Sequence, residues 1–479
     1  MKSVIFKMTN IRELLSVHSE AEKVLKLAGQ VGSELEKQVY VVGGFVRDIF
    51  MQKISKEIDL LVVGDGIKFA DALAKRLAVK KIIPFKEFST AKIPYEKIGI
   101  DVAAARIESY DDKSRKPTEV IYTDLKGDLV RRDFTINAMA VDILPESFGE
   151  LHDPFSGILD LQAKQITTPL DPDETFGEDP LRMLRATYFA SQFGFEIDDK
   201  CYDSIVRQKD RISIVSQERI TAELLKILAS PKPSIGLVIL QETGLMKLIF
   251  PEIDTMHGID QTPEWHHKDI FYHTMQVVDN AAKLTKKMEI RFAALVHDIA
   301  KPITRRVDKK KGYTFHGHDA IGEKMLDKVA QRMKLSNNLG TYLKKMTLLH
   351  LRPIALAKKD VTDSAIRRLM VAVGDDTDDL MTLCRADITT KNPKKVKKYM
   401  QNFERVDELM KNVQERDTFR AFQSPVRGHE IMEICAIREG KTVGRIKKAI
   451  EEAILDGKID NDYEKALDYL YRIKDDYIS

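Results

Sequence analysis

The pattern of apolar and polar positions changes character once along the chain. Residues 1–30 carry apolar positions at helical spacing. From about 39 to 145 the signal is instead a set of short continuous runs: VYVV (39–42), IDLLVV (58–63), KIGIDVAAAR (97–106), TEVIY (118–122) and AMAVDIL (138–144). Runs of this length, rich in β-branched residues, read as strands of a largely buried sheet. From about 175 onward strand signals nearly vanish. LRMLRATYFASQFGF (181–195), ERITAELLKILAS (218–230), MQVVDNAAKL (275–284), IRFAALVHDIA (290–300), GEKMLDKVAQRM (322–333) and DSAIRRLMVAVG (363–374) all repeat with the helical period. The expected fold is therefore α+β: an N-terminal mixed α/β head followed by a long all-helical body. Turn-rich stretches at 167–180 and 251–265, and QSPVRG at 423–428, mark boundaries. They divide the chain into a head (1–150), a helical neck (151–255), a second helical domain (256–415) and a helical tail (416–479).

Composition narrows the class. The chain has 479 residues, 43% hydrophobic and 32% charged, as expected of a globular protein of several domains. Its three cysteines, Cys201, Cys384 and Cys435, are far apart, which argues against a disulfide frame or a thiolate zinc site and for a reducing compartment. No secretory segment and no apolar run of membrane-spanning length is visible, so a cytoplasmic protein is expected. The net charge of +3 decides nothing. Its distribution does more: basic clusters at 115–117, 131–132, 283–287, 305–312 and 391–399 point to a polyanionic partner.

The chemistry begins where the first strand run ends on Gly43-Gly44, with Arg47 just beyond. A glycine pair lets backbone approach a ligand closely, a helix starting there favours an anion, and Arg47 adds a bidentate phosphate donor. The next run opens with Glu57 and Asp59. Positions i and i+2 of a strand share a face, so the two carboxylates project together. An acid inside an apolar run is costly unless something balances it. Paired carboxylates beside a phosphate cradle suit Mg²⁺, and Asp101, in another strand run, offers a third ligand for a two-metal site.

These residues carry a resemblance. GGFVRD (43–48) followed by an acidic pair, RRDFTINAMA (131–140) and EDPLRMLRA (178–186) together resemble the class II tRNA nucleotidyltransferases, which comprise CCA-adding enzymes and bacterial poly(A) polymerases. The resemblance implies roles by position. Glu57 and Asp59 stand at its metal-binding pair, and Asp101 at a third acid. Gly43, Gly44 and Arg47 stand where triphosphate is held. Arg132, Asp133 and Asn137 fall where ribose and phosphate are contacted. Asp179 and Arg182 fall where side chains read the incoming base without a nucleic-acid template, and Arg185 at a further nucleotide contact. Asp111 and Arg115 match the charged ends of a flexible loop. The family usually has Asp-x-Asp where this chain has Glu57-Ile58-Asp59, and Asp179-Pro180 also reads as a helix cap followed by proline in the first turn.

A second constellation lies between 263 and 400. His273, the dipeptide His297-Asp298 and Asp387 occur in the order found in HD-domain metal phosphohydrolases, which they resemble. Imidazole with carboxylate suits Ni²⁺, Mn²⁺, Fe²⁺ or Zn²⁺ better than Mg²⁺. His318 and His350 extend the set towards a second metal, and Lys301 is expected near the substrate phosphate. The neck then serves base recognition and RNA binding, and residues 256–415 form the HD domain. The leading expectation is CCA addition to tRNA from CTP and ATP, with Mg²⁺ in the head, the tRNA 3′ end and acceptor arm as partner, no membrane and no obligate protein partner, and a second phosphohydrolase site. The alternatives are an A-adding enzyme, a poly(A) polymerase, or an HD phosphohydrolase with a degenerate RNA-binding head.

Overall fold

The computed structural model describes residues 9–478, apart from 56, 86–88, 97, 111–116, 261–268, 310–311, 358–360 and 417–423. The chain divides into two compact units, Met1–Pro251 and Glu252–Ser479. Among the described residues no helix is long and apolar enough to cross a membrane.

The first unit is built on a mixed sheet. Its strands are β1 (Val39–Val42), β2 (Glu57–Val62), β3 (Ile83–Phe85), β4 (Thr90–Tyr95), β5 (Ile98–Ala104), β6 (Arg106–Tyr110), β7 (Pro117–Tyr122), β8 (Ala140–Asp142) and β9 (Leu151–His152). Seven of them form one sheet in the order β3-β4-β5-β2-β1-β8-β9, while β6 and β7 make a separate antiparallel ribbon. β2 runs parallel to β5 and antiparallel to β1.

Strand alternation explains which face carries chemistry. Ile58, Leu60 and Val62 of β2, with Val39, Val41, Ile100, Val102 and Val141, point into the main core under helices Ser19–Glu34 and Gly66–Arg76. Glu57, Asp59 and Leu61 alternate onto the opposite face, where Tyr40, Val42, Leu61, Leu129 and Ala140 make a smaller cluster. A slip of one residue in β2 would drive both carboxylates into the core, so the apolar set fixes the register that presents them. The parallel register places Asp59 directly beside Asp101.

The rest of this unit is helical. Helix Leu181–Phe193 buries Leu184, Thr187, Phe189 and Ala190 and packs against helices Gln217–Ala229 and Pro233–Glu242. It ends at Gly194 in the left-handed region (φ 69°), a conformation that favours glycine.

Among its described residues the second unit is helical except for one hairpin, Arg306–Asp308 with Gly312–Thr314, which the helical reading beyond residue 175 did not contain. A further short parallel pair, Gln165–Ile166 with Glu196–Ile197, lies in the first unit. These segments of two or three residues have no apolar period long enough to be legible. At the C-terminal end helices Gly428–Cys435, Lys441–Leu455 and Tyr463–Ile473 close on their own core of Val426, Ile431, Ile446, Ile450, Ala466 and Leu470.

Candidate active sites

In the first unit the site is assembled at the C-terminal end of β1. Gly43 has φ 70° and ψ −131°, outside the region open to residues with a Cβ. A Cβ there would come within 2.8 Å of an Arg132 guanidinium nitrogen and 3.6 Å of Asp59 Oδ2. The turn thus leaves room between the acidic strand and the basic segment that follows β7. Burial, with the nearby Asp101 and Glu57 carboxylates, raises the Asp59 pKa to about 6 against the opposing pull of Arg132 and Arg47. Such a carboxyl is balanced best by a cation. Asp101, half-exposed, is held by Lys92 Nζ at 3.3 Å, and Glu57 is exposed at the strand's start. These three carboxylates share a face but do not gather as closely as the metal-capable groups of the second unit.

The residues of the second motif form one hydrogen-bonded network. Arg47 Nη1 donates to Asn137 Oδ1 at 2.7 Å, and its other nitrogens donate to Asp48. The guanidinium lies 4.7 Å from the Phe193 ring centre. Asn137 Nδ2 donates to Asp133 Oδ1 at 3.0 Å, and Arg185 Nε donates to Asp133 Oδ2 at 2.7 Å. Asp133 is buried, yet Arg185 and Asn137 outweigh the desolvation and hold its pKa below the usual range.

Asp128, fully buried, was not singled out by the sequence reading, and it organises the basic pair. Its Oδ1 accepts from Arg131 at 2.9 Å and its Oδ2 from Arg132 at 2.9 Å. The signal was present in the sequence, since the acid precedes the two arginines by three and four residues near the end of helix Leu125–Val130.

Arg131, Arg132, Asp133, Asp179, Arg182 and Arg185 line a common cavity of about 550 Å³, completed by Arg219, Glu223 and Lys226 from helix Gln217–Ala229. Asp179 does cap the following helix: its Oδ1 accepts from Leu181 N at 2.9 Å, while Oδ2 stands 3.9 Å from Arg219. Arg182 donates to Arg131 O at 2.6 Å, and to Thr175 O and Glu178 at 3.2 Å each. The three residues from helix Gln217–Ala229 were also not singled out; Arg219 and Glu223 sit four apart on that helix. Asp111 and Arg115 lie outside the described residues.

In the second unit the expected ligands sit at or near the ends of five helices. His273 is on Ile270–Leu284, His297-Asp298 closes Met288–Val296, His318 opens His318–Arg332, His350 closes Asn337–Leu349 and Asp387 closes Thr377–Ala386. Asp298 is their centre. Its Oδ2 lies 3.0 Å from His297 Nε2 and 3.6 Å from His273 Nε2, and its Oδ1 lies 3.2 Å from His318 Nε2 and 3.8 Å from His350 Nε2. Asp387 Oδ1 is 3.0 Å from His273 Nε2.

The opposite ring nitrogens decide what these imidazoles can do. Nδ1 of His297, His318 and His350 lies against a backbone carbonyl, of Ala294 (2.8 Å), Phe315 (2.7 Å) and Thr347 (2.7 Å) respectively. A carbonyl can only accept, so Nδ1 carries hydrogen and Nε2 of each neutral ring presents a lone pair towards Asp298. His273 Nδ1 meets Thr389 Oγ1 at 3.1 Å. Nε2 of His297 is buried without a hydrogen-bond partner, and Nε2 of His318 and His350 face each other at 3.3 Å. Lone pairs converging in this way fit divalent cations, in two groups that share Asp298: with His273 and His297, and with His318 and His350.

Protonation shows the same demand for positive charge. Burial opposes charging of His297, but Asp298 and Asp387 win and raise its pKa to about 10. Burial and the neighbouring His297 charge push His350 down to about 4. Lys301 Nζ, expected near a substrate phosphate, ion-pairs with Asp298 at 2.6 Å. Asn280, not anticipated, pins the loop of Asp387 by donating to Ala386 O at 2.9 Å.

Three family matches cover the chain in order: the Poly A polymerase head domain over residues 39–167, the probable RNA and SrmB-binding site of polymerase A over 194–256, and the HD domain over 270–392. The multifunctional CCA protein of Pseudoalteromonas atlantica is 34% identical over 315 residues, 63% of this chain and 72% of that protein. Its counterpart from Shewanella denitrificans is 33% identical over 312 residues, 63% of this chain and 71% of the relative. Among solved structures, an apo form of a CCA-adding enzyme aligns over 97% of this chain and 98% of its own, with a TM-score of 0.64 and 22% identity. The Thermotoga maritima CCA-adding enzyme complexed with tRNA aligns over 97% and 98%, with a TM-score of 0.59 and 21% identity. These structural likenesses bear on the fold.

Proposed function

The chain belongs to the family of the multifunctional CCA proteins, and from that membership we infer that it is a tRNA nucleotidyltransferase that adds the 3′-terminal CCA from CTP and ATP without a nucleic-acid template. The 3′-hydroxyl of the tRNA attacks the α-phosphate of the nucleotide, the new phosphodiester bond forms, and pyrophosphate leaves. The observation that carries this reading is the continuous network from Arg47 through Asn137 and Asp133 to Arg185, which ties the Gly43 turn to the basic cavity.

Each residue of this site has a task in the reading. Gly43 and Gly44 let the triphosphate approach the backbone. Arg132, held by Asp128, supplies fixed positive charge. Asp133 and Asn137 orient Arg185 and Arg47 rather than meeting phosphate themselves. Asp179, just before helix Leu181–Phe193, and Arg182, in its first turn, present acceptors and donors to the base edge. Because Asp179 already caps a helix and Arg182 is bonded to backbone carbonyls, reading a base requires Arg182 to exchange partners.

Divalent metal use follows from the head and HD domains together. Mg²⁺ fits Glu57, Asp59 and the neighbouring Asp101, because Asp59 is a carboxyl whose surroundings favour a cation. When bound there it supplies charge that acidifies the attacking hydroxyl and neutralises the triphosphate. A transition metal, Ni²⁺, Mn²⁺, Fe²⁺ or Zn²⁺, fits His273, His297, Asp298 and Asp387. A second fits His318 and His350 with the shared Asp298. This centre serves a second activity, hydrolysis of small phosphoesters or 2′,3′-cyclic phosphates. Three buried free thiols fit a cytoplasmic setting.

The test is the Asp59→Ala variant with Mg²⁺, CTP, ATP and tRNA lacking its CCA end. Addition is expected to disappear while tRNA binding is retained. Near-normal addition by this variant removes Asp59 from the site.

A further inference from the structure

The carboxylates of the first unit share their sheet face with strands that have no task so far. In the order β3-β4-β5-β2-β1, the Gly43 turn follows β1 on one side of Asp59, and β5, β4 and β3 extend on the other. Strand alternation sorts their side chains. Ala91 and Ile93 of β4, with Ile100 and Val102 of β5, enter the main core. Thr90, Lys92 and Pro94, with Gly99, Asp101 and Ala103, therefore lie on the face of the carboxylates. The register makes one row of Asp59, Asp101, Lys92 and Ile83 from β2 to β3, and the neighbouring row ends on Phe85.

Charge, surface and direction point to the same ligand. Among the described residues of β2, β4 and β5 on this face, Lys92 is the one basic side chain. Its ammonium meets Asp101 with both side chains nearly half exposed, 46% and 44%. Such a pair is worth little in water, so the ammonium can exchange the carboxylate for a phosphate. A lysine on an edge strand guards against pairing with another chain, but β4 is an interior strand, and the edge belongs to β3. On β3, Ile83 and Phe85 are each 51% exposed, and between Phe85 and the acids the face carries only the small side chains of Thr90 and Ala103. An open aromatic ring of this kind is a platform on which any base stacks. Direction follows from the chemistry, because the attacking and leaving oxygens at a transferred phosphorus lie roughly in line. With the triphosphate on Gly43, Arg47 and Arg132, pyrophosphate leaves on the side of β1, and the attacking hydroxyl arrives from the side of β5 and β4.

We propose that the face of β3, β4 and β5 seats the unpaired 3′ end of the tRNA acceptor, with a backbone phosphate close to the attacking hydroxyl on Lys92 and a base of that end stacked on Phe85. The proposal rests on the nucleotidyl-transfer reading and adds the seat of the second substrate, which the motif residues around the glycine turn leave unassigned. Neighbouring strands are about 5 Å apart, so Lys92 stands roughly 10 Å and Phe85 roughly 15 Å from the strand of Asp59, within reach of the last few nucleotides. When Lys92 turns to the phosphate, Asp101 is released to face a cation beside Asp59. Lys92 and Phe85 are thus positioning residues, and seating of the acceptor completes the acidic site.

The full-length protein is tested on a tRNA ending in CC and on the same tRNA trimmed to the paired end of its acceptor stem. Binding is read by fluorescence anisotropy without divalent metal, and addition by incorporation of AMP into the CC-ended tRNA. Both side chains are half exposed, so neither substitution empties a core. Lys92→Gln is expected to weaken binding of the CC-ended tRNA about fivefold and to lower the slope of log Kd against log salt by roughly 0.7, the share of one phosphate. Phe85→Ala is expected to weaken it about tenfold, as loss of one stack requires, with the slope unchanged. Neither variant is expected to change binding of the trimmed tRNA, and Lys92→Arg and Phe85→Trp are expected to bind as wild type does. In the addition assay KM for the tRNA is expected to rise in the Gln and Ala variants while KM for ATP stays at the wild-type value. Equal losses with the two tRNAs, an unchanged KM for the CC-ended tRNA, or an equal rise in both KM values overturns the proposal. Wild-type protein that adds no nucleotide defeats the transfer reading. The binding comparison then judges the seat by itself, and equal affinity of the wild type for the two tRNAs overturns it.

Discussion

Asp59 shows at one residue why the head calls for a cation. Its pKa of about 6 lies above the ordinary carboxylate value because of burial first, with the Asp101 and Glu57 charges adding to it. A carboxyl raised in the folded state costs nothing below about pH 4, where both states are protonated. The cost builds as pH rises towards about 6 and is then constant. In chelator-treated protein Asp59→Asn is therefore expected to be stabilising at pH 7.5 by roughly 1–3 kcal/mol, and to confer little at pH 4. Mg²⁺ is expected to erase the difference by stabilising only the wild type. Thermal melts at the two pH values check this; an Asn variant that melts below wild type at pH 7.5 contradicts it. Glu57 answers a different question, since it stands where the family usually has Asp. Glu57→Asp is expected to retain addition, whereas Glu57→Gln, equal in size but uncharged, is expected to lose at least tenfold in kcat. Single-turnover incorporation of labelled CTP distinguishes the two, and full activity of the Gln variant removes this position from metal binding.

At the scale of elements, the helix Leu125–Val130 acts as a clamp because Asp128 faces inward and grips both arginines beyond its end. Breaking a buried pair from one side typically costs about 3–5 kcal/mol, since the remaining charges lose their partner. Asp128→Ala is expected to lower the melting temperature and to raise KM for CTP and ATP together; a change confined to one nucleotide contradicts a purely positioning role. Base choice is proposed for helix Leu181–Phe193 and the residue that caps it. Replacing Arg182 by Ala is expected to relax selection among CTP, ATP, UTP and GTP, whereas Asp179→Ala also removes a helix cap. An equal fall with all four nucleotides in both variants favours the cap alone.

The elements that were legible in the sequence are those whose apolar period runs for several residues. β1, β2, β5, β7 and β8 appear as continuous runs, and the helices as repeats. β3 and β4 were not read because β3 is exposed throughout and only two positions of β4, Ala91 and Ile93, are buried. The motif residues could be named from order and spacing. Asp128, Arg219, Glu223, Asn280 and Thr389 could not, because each matters through a partner brought to it by packing; only the Asp128 spacing to its arginines was visible locally.

At the scale of the molecule, the two centres use separate residues and separate chemistry. One is a carboxylate strand face with an arginine cavity, the other an imidazole cluster around Asp298. His297→Ala with Asp298→Ala is expected to abolish bound transition metal and phosphoester hydrolysis, and to leave CCA addition within about twofold of wild type. Metal analysis and both assays on the same preparation check it, and collapse of addition in a folded double variant shows that the centres are coupled. The central claim is tested most directly by offering tRNAs that end before the CCA, after the first C and after CC, each with one labelled nucleotide at a time. The account predicts CTP incorporation on the first two, ATP incorporation on the third, and no further extension. Incorporation of A alone, a growing A tail, or no incorporation with any nucleotide would contradict it.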